Sequence, residues 1–419
     1  MKKNGFTLVE LLSIVVILGI IVVVALPQIS GSIGSKKEKQ YNKIVKIVEN
    51  AGKVYLIENV TKDSVSIDIL IKNDYLTSGL KNPINNTPLT GCVKKITSDG
   101  VTKYKYEVDN CPNYLTTYIM DLYDNEETRV SDSLKKDNTK DQNIRYYGSD
   151  PNNYVRFNNE LWRIIGVFGN NVKLVRSESL GSLSWDSSAN NVNSGNGINQ
   201  WGESTHEDGS SYEGADLQVY LNKMYYGGDT TVTCYGSANN ETITCLTGTI
   251  DETSKSLIDN HSWNTGAIEY NTRTDTLAFY NAERGTIGKT CTSTSGGWCN
   301  DTVIRTTEWT GYVGLPYVTD WAYASSESVC ETNMQVQDSS NTYICKNNNW
   351  MQKSSDAWYL SPYAFGSYAC SAWYVNGDGL ARQNIAAGPF AVAPSIYLKS
   401  NVLIETGNGT STDPYELSL

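Results

Sequence analysis

Metal-binding residues are scarce in this sequence. It contains only two histidines, His206 and His261, and none of its nine cysteines stands in a C-x-x-C pair. Structural zinc sites need four Cys or His ligands at close spacing, so no zinc site is expected. The stretches "DGSSYEGAD" and "NGDG" offer oxygen ligands, but neither has the ligand spacing of a calcium-binding EF-hand loop. We therefore predict no metal and no cofactor.

Positive charge is also in short supply. The chain has 34 Lys and Arg against 45 Asp and Glu, for a formal net charge of −11. Nucleic-acid backbones are bound by clustered positive charge, so direct contact with nucleic acid is not expected. Residues 1–60 are an exception, with eight lysines against four glutamates. This part of the chain therefore has different surroundings from the acidic remainder.

Catalytic signatures are missing as well. The sequence has no G-x-S-x-G, no P-loop and no dinucleotide-binding fingerprint. No motif frames His206 or His261 as a general base. We predict that the protein is not an enzyme. Sequence alone leaves one alternative open, an envelope-anchored enzyme that acts on a cell-wall or glycan substrate through paired carboxylates.

The N-terminal segment combines a long apolar run with one charge. Residues 6–26 contain only Glu10 as a charged residue, and a helix of that length, about 32 Å, crosses a bilayer. Lys2 and Lys3 precede it and favour a cytoplasmic N-terminus. A cleavable secretory signal ending near Ala25 is the alternative. Glu10 disfavours it, since an unpartnered charge is costly in lipid.

The stretch "KNGFTLVELL" resembles the leader of type IV prepilins and pseudopilins. The resemblance implies cleavage between Gly5 and Phe6 by a prepilin peptidase and N-methylation of Phe6 by the same enzyme. It also implies assembly with other pilin subunits, in which Glu10 pairs with the N-terminal amine of a neighbour. Before assembly the protein would be a single-pass membrane protein, and afterwards part of a pilus at the cell surface. Pro27 should kink the helix.

The remaining chain predicts an α+β protein. Apolar residues from Tyr41 to Tyr55 recur at helical spacing, and "VTKYKYEV" alternates as a strand does. The predicted divisions are a leader at 1–5, a pilin-type N-terminal helix at 6–59 with a transmembrane part at 6–26, a small sheet-containing head at 60–115, a polar linker at 116–144 and a surface module at 145–419.

The surface module is predicted to be loop-rich, with short strands and few helices. Two apolar runs separated by "GNN" predict a hairpin near its start, and "AWYLSPYAF" and "SAWYVNGDGL" alternate as strands do. All ten tryptophans lie at or beyond Trp162. The signatures "YVRFNNELWRIIGV", "AWYLSP" and "SAWYVNGDG" are similar to bacterial surface-protein modules, whose fold resembles the C-type-lectin and formylglycine-generating-enzyme superfold. These motifs specify packing and not chemistry.

The cysteines predict a set of local disulfides in an exported protein. The predicted pairs are Cys92 with Cys111, Cys234 with Cys245, Cys291 with Cys299, and Cys330 with Cys345. Cys370 is left over and is predicted to be a buried free thiol.

Aromatic residues in polar loops are the candidates for ligand binding, because Tyr and Trp stack on sugars or anchor protein interfaces with little loss of entropy. The candidates by loop context are Trp201, Tyr212, Trp263, Trp298 and Trp350, with packing in the core as the alternative for each. We predict a minor or tip pilin-like subunit that displays an adhesive module for a glycan or protein ligand. The alternatives are the anchored enzyme and a pseudopilin of a secretion or DNA-uptake system.

Overall fold

The protein consists of two compact units, Met1–Asn113 and Tyr114–Leu419. The computed structural model describes residues 33–60, 63–98, 100–109, 111–187, 199–206, 211–212, 214–237, 241–245, 248–268, 275–285, 303–332, 334, 344–363 and 371–419. The predictions for Gly5, Phe6, Glu10, Pro27, Cys291, Trp298, Cys299 and Cys370 lie outside these residues. So do the leader and the span 6–26. Within the described part of the chain, no helix is both long enough and apolar enough to cross a bilayer.

The first unit is a helix packed on a small antiparallel sheet. Its elements are α1 (Ile33–Glu58), β1 (Ser64–Ser66), α2 (Ile67–Lys72), β2 (Cys92–Ser98) and β3 (Val101–Glu107). The strands pair in the order β1-β2-β3, and the disulfide Cys92–Cys111 joins the start of β2 to the chain beyond β3. The predicted amphipathic helix, the alternating strand and this disulfide are all confirmed.

Helix α1 buries one stripe against the sheet. Ile44, Val48, Ala51 and Tyr55 are each at most 6% exposed, and their spacing of three and four places them on one side of the helix. Gly52 lies in the same contact. A Cβ at this position would come within 2.4 Å of Val93 Cβ. The glycine therefore allows the helix to approach β2 closely.

The second unit contains two larger sheets with short helices and small two- and three-stranded sheets around them. Its helices are α3 (Leu115–Asp124), α4 (Glu126–Ser131), α5 (Asp216–Val219), a π-helix (Tyr220–Tyr226), α6 (Glu252–Leu257), α7 (Thr276–Glu283), α8 (Val318–Tyr323), α9 (Ser328–Thr332) and α10 (Ile344–Asn347). Its strands are β4 (Leu134–Lys136), β5 (Ile144–Tyr146), β6 (Tyr154–Phe157), β7 (Glu160–Phe168), β8 (Asn171–Arg176), β9 (Ser182–Ser184), β10 (Ser204–His206), β11 (Ser211–Tyr212), β12 (Cys234–Ser237), β13 (Glu241–Ile243), β14 (His261–Asn264), β15 (Val303–Arg305), β16 (Glu308–Gly311), β17 (Val313–Gly314), β18 (Ala357–Pro362), β19 (Ser371–Val375), β20 (Ala381–Ile385), β21 (Pro389–Ala391), β22 (Ser395–Tyr397), β23 (Leu403–Thr406) and β24 (Tyr415–Ser418).

The larger sheet has the strand order β17-β22-β8-β7-β6-β24-β23, and β5 pairs with β7 and with β4. Its centre is a run of two hairpins, β6-β7 and β7-β8. The first turns at Asn158 and Asn159, both with φ near +60°, a conformation that Asn tolerates better than most residues. The hairpin predicted around "GNN" is confirmed as β7-β8. The second sheet has the order β20-β19-β18-β21-β9, and β18 and β19 were both expected strands.

The predicted linker at 116–144 is wrong. This segment is part of the second unit and forms α3, α4, β4 and the start of β5. Ile119 and Leu134 lie in the core. Its polar residues have structural partners, since the Asn125 side chain accepts from two backbone N–H groups that begin α4. The linker was predicted because the segment is rich in polar residues, which is typical of a solvent-exposed connection. In the structure, tertiary contacts and helix capping provide hydrogen-bond partners for polar side chains of the segment.

Disulfides close two further loops in the second unit. Cys234 is bonded to Cys245, which ties the hairpin β12-β13, and Cys330 is bonded to Cys345, between α9 and α10. Both pairs were predicted from local spacing. The mixed α+β class is likewise confirmed.

Candidate functional site

Three of the tryptophans predicted to bind a ligand belong to the core. Trp201 and Trp263 are at most 1% exposed, and Trp350 is 8% exposed. The indole N–H of Trp263 donates to Gly311 O at 3.0 Å, and that of Trp350 to Tyr146 O at 3.0 Å. The structure thus favours the packing alternative and corrects the stacking role for these three residues. Their loops fold inward between short strands, which loop composition does not reveal.

The other sequence candidates divide between described and undescribed positions. Tyr212 lies in β11, and His206 lies in β10. His261 begins β14. Its ring stacks on Tyr397 with the centroids 3.7 Å apart, and its Nδ1 lies 3.0 Å from Asp259 Oδ2. Burial lowers the pKa of His261, with Asp259 opposing the shift.

Tyr226 and Tyr312 form a stacked aromatic pair that is less buried than these tryptophans. Tyr226 and Tyr312 are half-buried, and their rings lie parallel, with an angle of 9° and centroids 4.2 Å apart. The Nζ of Lys255 lies 5.5 Å from the centre of the Tyr226 ring. Burial, with Tyr312 adding to it, raises the pKa of Tyr226 to about 12. This phenol is therefore neutral near pH 7, and its hydroxyl is hydrogen-bonded to the Tyr312 side chain.

The π-helix holds this tyrosine pair in place. Asn222 in the π-helix hydrogen-bonds both the backbone carbonyl and the N–H of Val313, at 2.9 and 3.1 Å. This contact fixes Tyr226, four residues further along, beside Tyr312. π-helical turns are uncommon and are often found at functional sites. Sequence analysis missed the pair because "KMYYGG" and "TGYVGL" lie far apart in the chain.

A small cavity lies beside Trp350. Its lining includes Trp350, Trp358, Tyr359, Arg163 and Lys353. Burial lowers the pKa of Lys353 to about 8, and its amine donates to Ser177 O. The cavity volume of about 20 Å³ accommodates one or two water molecules. It is too small for a sugar ring.

The most unusual chemistry of the second unit is a group of buried charges between β5, β8, α7 and α8. We call it the charge cluster, and its members are Asp137, Arg145, Lys173, Glu283, Arg284 and Asp320. All but Arg284 have side chains that are at most 1% exposed, and Arg284 is 16% exposed. Buried charges of this kind persist only when each has a partner.

Arg145 and Lys173 meet at one carboxylate. Arg145 donates from Nε to Asp137 Oδ2 and from Nη1 to Asp320 Oδ1, both at 2.7 Å. Lys173 donates from Nζ to Asp320 Oδ2, also at 2.7 Å. Burial opposes the charge on Arg145, but the two carboxylates outweigh it and raise its pKa above the usual value. For Lys173 the effect of burial exceeds that of the Asp320 carboxylate and lowers the pKa to about 8.

Glu283 completes the charge cluster on the side of α7. Its Oε2 accepts from Thr319 Oγ1 at 2.8 Å and lies 3.1 Å from Arg284 Nη1. Its Oε1 is buried without a hydrogen-bond partner among the described residues. Burial raises the pKa of Glu283 to about 7, against the opposing charge of Arg284. This carboxyl therefore titrates close to neutral pH.

The local sequence explains how these charges are placed. Asp320 is the third residue of α8, where its Oδ2 accepts from Tyr317 N at 2.9 Å in a capping box. Lys173 lies between the apolar residues Val172 and Leu174 in β8. Arg145 lies between Ile144 and Tyr146 in β5. A charge inside an apolar strand is the signal that sequence analysis did not use. Among the described residues, no group of three His, Cys, Asp or Glu is arranged to hold a metal ion.

Comparison with known proteins adds one assignment, at the N-terminus. The family model described as the prokaryotic N-terminal methylation motif matches residues 1–26. No curated protein and no solved structure gives a significant match to the chain. The motif supports a type IV pilin-like or pseudopilin subunit that is processed by a prepilin peptidase and assembles with other pilins. It also fits a membrane-anchored pilus or cell-surface location.

Proposed function

We propose that this protein is a minor, tip-located type IV pilin-like subunit whose second unit is a non-catalytic adhesive module. Its leader is cut between Gly5 and Phe6, and the new N-terminus is methylated. Residues 6–26 anchor the subunit in the membrane and then enter the filament. The observation that carries the proposal is the methylation motif at residues 1–26.

The first unit supports the same reading. Helix α1 follows the motif in the chain and packs on a three-stranded sheet that a disulfide closes. A helix with one face on a small sheet and a motif-bearing segment before it suits a subunit that assembles through its N-terminus.

Glu10 supplies the electrostatic reason for assembly. A carboxylate in an apolar segment is costly without a partner. The N-terminal amine of Phe6 in a neighbouring subunit compensates this charge, and the two charges stabilise each other in a low-dielectric environment.

The size of the second unit favours a minor subunit. It extends from Tyr114 to Leu419 and is a compact body with its own core. A body of this size on every subunit would crowd the filament surface, whereas a few copies at the tip have room. The C-type-lectin-like fold of this unit stays a prediction, because the family match is confined to residues 1–26.

The adhesive role rests on the Tyr226 and Tyr312 pair. Half-buried tyrosine rings beside a lysine favour a sugar, since apolar sugar faces stack on aromatic rings and sugar hydroxyls accept hydrogen bonds. We therefore propose a glycan as the ligand class, with a protein ligand as the alternative outcome of the test.

The first experiment determines the N-terminal residue of the protein recovered from native cells. N-methylated Phe6 is the expected result. An intact Met1, or an N-terminus at Leu26, contradicts the pilin assignment. Glu10→Gln is expected to be processed normally but to be lost from sheared filaments, and Glu38→Gln, an exposed change on α1, is the matched control.

The second experiment tests the adhesive role separately. The full chain is applied to an array of immobilised glycans. The double change Tyr226→Ala and Tyr312→Ala is expected to weaken binding about tenfold or more, from the loss of aromatic stacking. Tyr123→Ala removes a half-buried tyrosine on α3 and should bind as the wild type does. Wild-type protein that binds no glycan, or a double variant that binds normally, contradicts this role and leaves the N-terminal result unaffected.

A further inference from the structure

Lys173 and Asp320 are unusually well placed for a reaction with each other. Nζ of Lys173 lies 2.7 Å from Oδ2 of Asp320, and the two side chains are 0% and 1% exposed. The residues are 147 positions apart in sequence, on β8 and α8. The fold therefore holds an amine against a carboxyl group in a site from which water is excluded.

Aromatic rings enclose the amine of Lys173. The nearest centroid is that of Tyr317, at 4.0 Å, followed by Trp263 at 5.1 Å, Tyr397 at 5.2 Å and Phe168 at 5.8 Å. Burial lowers the pKa of Lys173 to about 8, against the opposing charge of Asp320, because removal from water disfavours the ammonium ion relative to the neutral amine. A neutral amine is the nucleophilic form of lysine.

The carboxyl group of Asp320 is held by donors on both oxygens. Arg145 Nη1 donates to Oδ1 at 2.7 Å, and Tyr317 N donates to Oδ2 at 2.9 Å. Burial alone raises the pKa of Asp320, but Lys173 and Arg145 outweigh it and lower the pKa. The same Arg145 contact would stabilise negative charge on Oδ1 when a nucleophile adds to Cγ, in the manner of an oxyanion hole.

The remaining charges of the cluster stay paired when the charges of Lys173 and Asp320 are removed. Arg145 keeps Asp137 as a partner at 2.7 Å. Arg284 keeps Glu283 at 3.1 Å. Condensation of the remaining amine and carboxylate removes one positive and one negative charge from the interior together, which also removes the cost of burying them.

We propose that Lys173 and Asp320 condense to an intramolecular amide that cross-links β8 to α8. A proton first passes from the ammonium group to Oδ2 along their hydrogen bond. The amine then adds to Cγ, with the developing charge on Oδ1 facing Arg145. The bond from Cγ to Oδ2 breaks, and Oδ2 leaves as water with the two protons that the nitrogen has lost. Neither carbon nor nitrogen changes oxidation state, so no further reactant is needed.

The cross-link has a mechanical consequence. It joins β8 of the large sheet directly to α8, so these two elements cannot separate under load. A covalent tie does not open under load as an ion pair does. This would suit a protein that is held at one end by a filament and at the other by a surface.

Peptide mapping of the full-length wild-type protein tests the proposal without any variant. The protein is reduced, alkylated, unfolded and digested with trypsin. An acylated Lys173 is not cleaved, so the expected product is a branched species in which residues 164–176 are joined to residues 306–346, with a mass lower by one water molecule than the sum of the two peptides. Unmodified linear peptides 164–173 and 306–346 as the only products overturn the proposal.

Lys173→Arg is the matched control. It keeps the positive charge but cannot form this amide, so its digest is expected to give residues 306–346 as a linear peptide. A loss of water from residues 306–346 that persists in Lys173→Arg would arise within that peptide and would contradict the cross-link. The mapping is done on unfolded protein, so this control is informative whether or not the variant is stable.

Discussion

Arg145 Nε lies 2.7 Å from Oδ2 of Asp137, and neither side chain is more than 1% exposed. Asp137 lies in the segment expected to be a linker, and this contact attaches the segment to the central sheet through β5. Asn143 in the same segment donates from Nδ2 to Asp137 Oδ2 at 2.9 Å. The segment is therefore held by buried charge as well as by its apolar residues.

Arg145→Met is expected to destabilise the second unit by about 3–5 kcal/mol, because it leaves Asp137 buried without its cation. The measurement is denaturant unfolding of the full chain followed by tryptophan fluorescence, which reports the second unit alone since every tryptophan lies there.

Arg156→Met is the control for this change. Arg156 is also a strand residue, paired with Glu416 at 2.9 Å, but both side chains are 44% exposed. An exposed pair of this kind contributes about 1 kcal/mol or less. Equal losses of unfolding free energy in the two variants would show that burial does not increase the contribution of Arg145 to stability.

Glu283 is expected to make stability depend on pH between about 4.5 and 7. Burial raises its pKa in the folded protein to about 7, so the folded protein retains a proton that the unfolded chain releases at lower pH. The proton bound to Glu283 stabilises the folded protein fully when the pH is below the pKa of this group in the unfolded chain. This stabilisation, about 3 kcal/mol in total, is lost as the pH rises to about 7. Arg284, Asp320 and Lys173 are the charged groups that act on Glu283.

The comparison of wild type with Glu283→Gln isolates this effect. The variant is expected to lack the loss, so the difference in unfolding free energy between the two proteins should change in its favour from pH 5 to pH 7. His261 has a lowered pKa and gives the opposite slope, but it is present in both proteins and cancels. A difference that stays constant over this range would contradict a raised pKa at Glu283.

The sequence was sufficient wherever the signal is local. The spacing from Tyr41 to Tyr55 predicts the buried stripe of α1, "GNN" predicts the β7-β8 hairpin, and cysteines 11 to 19 residues apart form the pairs expected of them. In each case the pattern on which the prediction depends lies within a short stretch of the chain.

The sequence was insufficient where partners are distant. Asp320 lies 175 residues from Arg145 and 147 from Lys173, so no local pattern shows that these charges meet. The tryptophans were misjudged for the same reason, because residues far from Trp201 and Trp263 in sequence cover them. The tyrosine pair at 226 and 312 was missed because its members belong to separate elements.

Gly52→Ala is expected to destabilise the first unit. In a helix interior Ala is normally favoured over Gly by about 1 kcal/mol. Here the new Cβ would lie 2.4 Å from Val93 Cβ, and overpacking of this kind costs about 1–3 kcal/mol. Hydrogen exchange of the α1 amides is the measurement, with faster exchange expected. The exposed neighbour Lys53→Ala is the control, and slower exchange in Gly52→Ala than in wild type would show that the helix does not approach β2 so closely.

Removal of the disulfide between Cys92 and Cys111 is expected to loosen the sheet of the first unit. The bond spans 19 residues, and in the chain-entropy description a loop of this length contributes about 3 kcal/mol by restricting the unfolded chain. The double change Cys92→Ala and Cys111→Ala should therefore speed hydrogen exchange throughout β2 and β3. The same change at Cys234 and Cys245 alters the second unit and should leave exchange in β2 and β3 as it is in wild type. If both double variants left these strands unaffected, the disulfide would not contribute to the stability of the first unit.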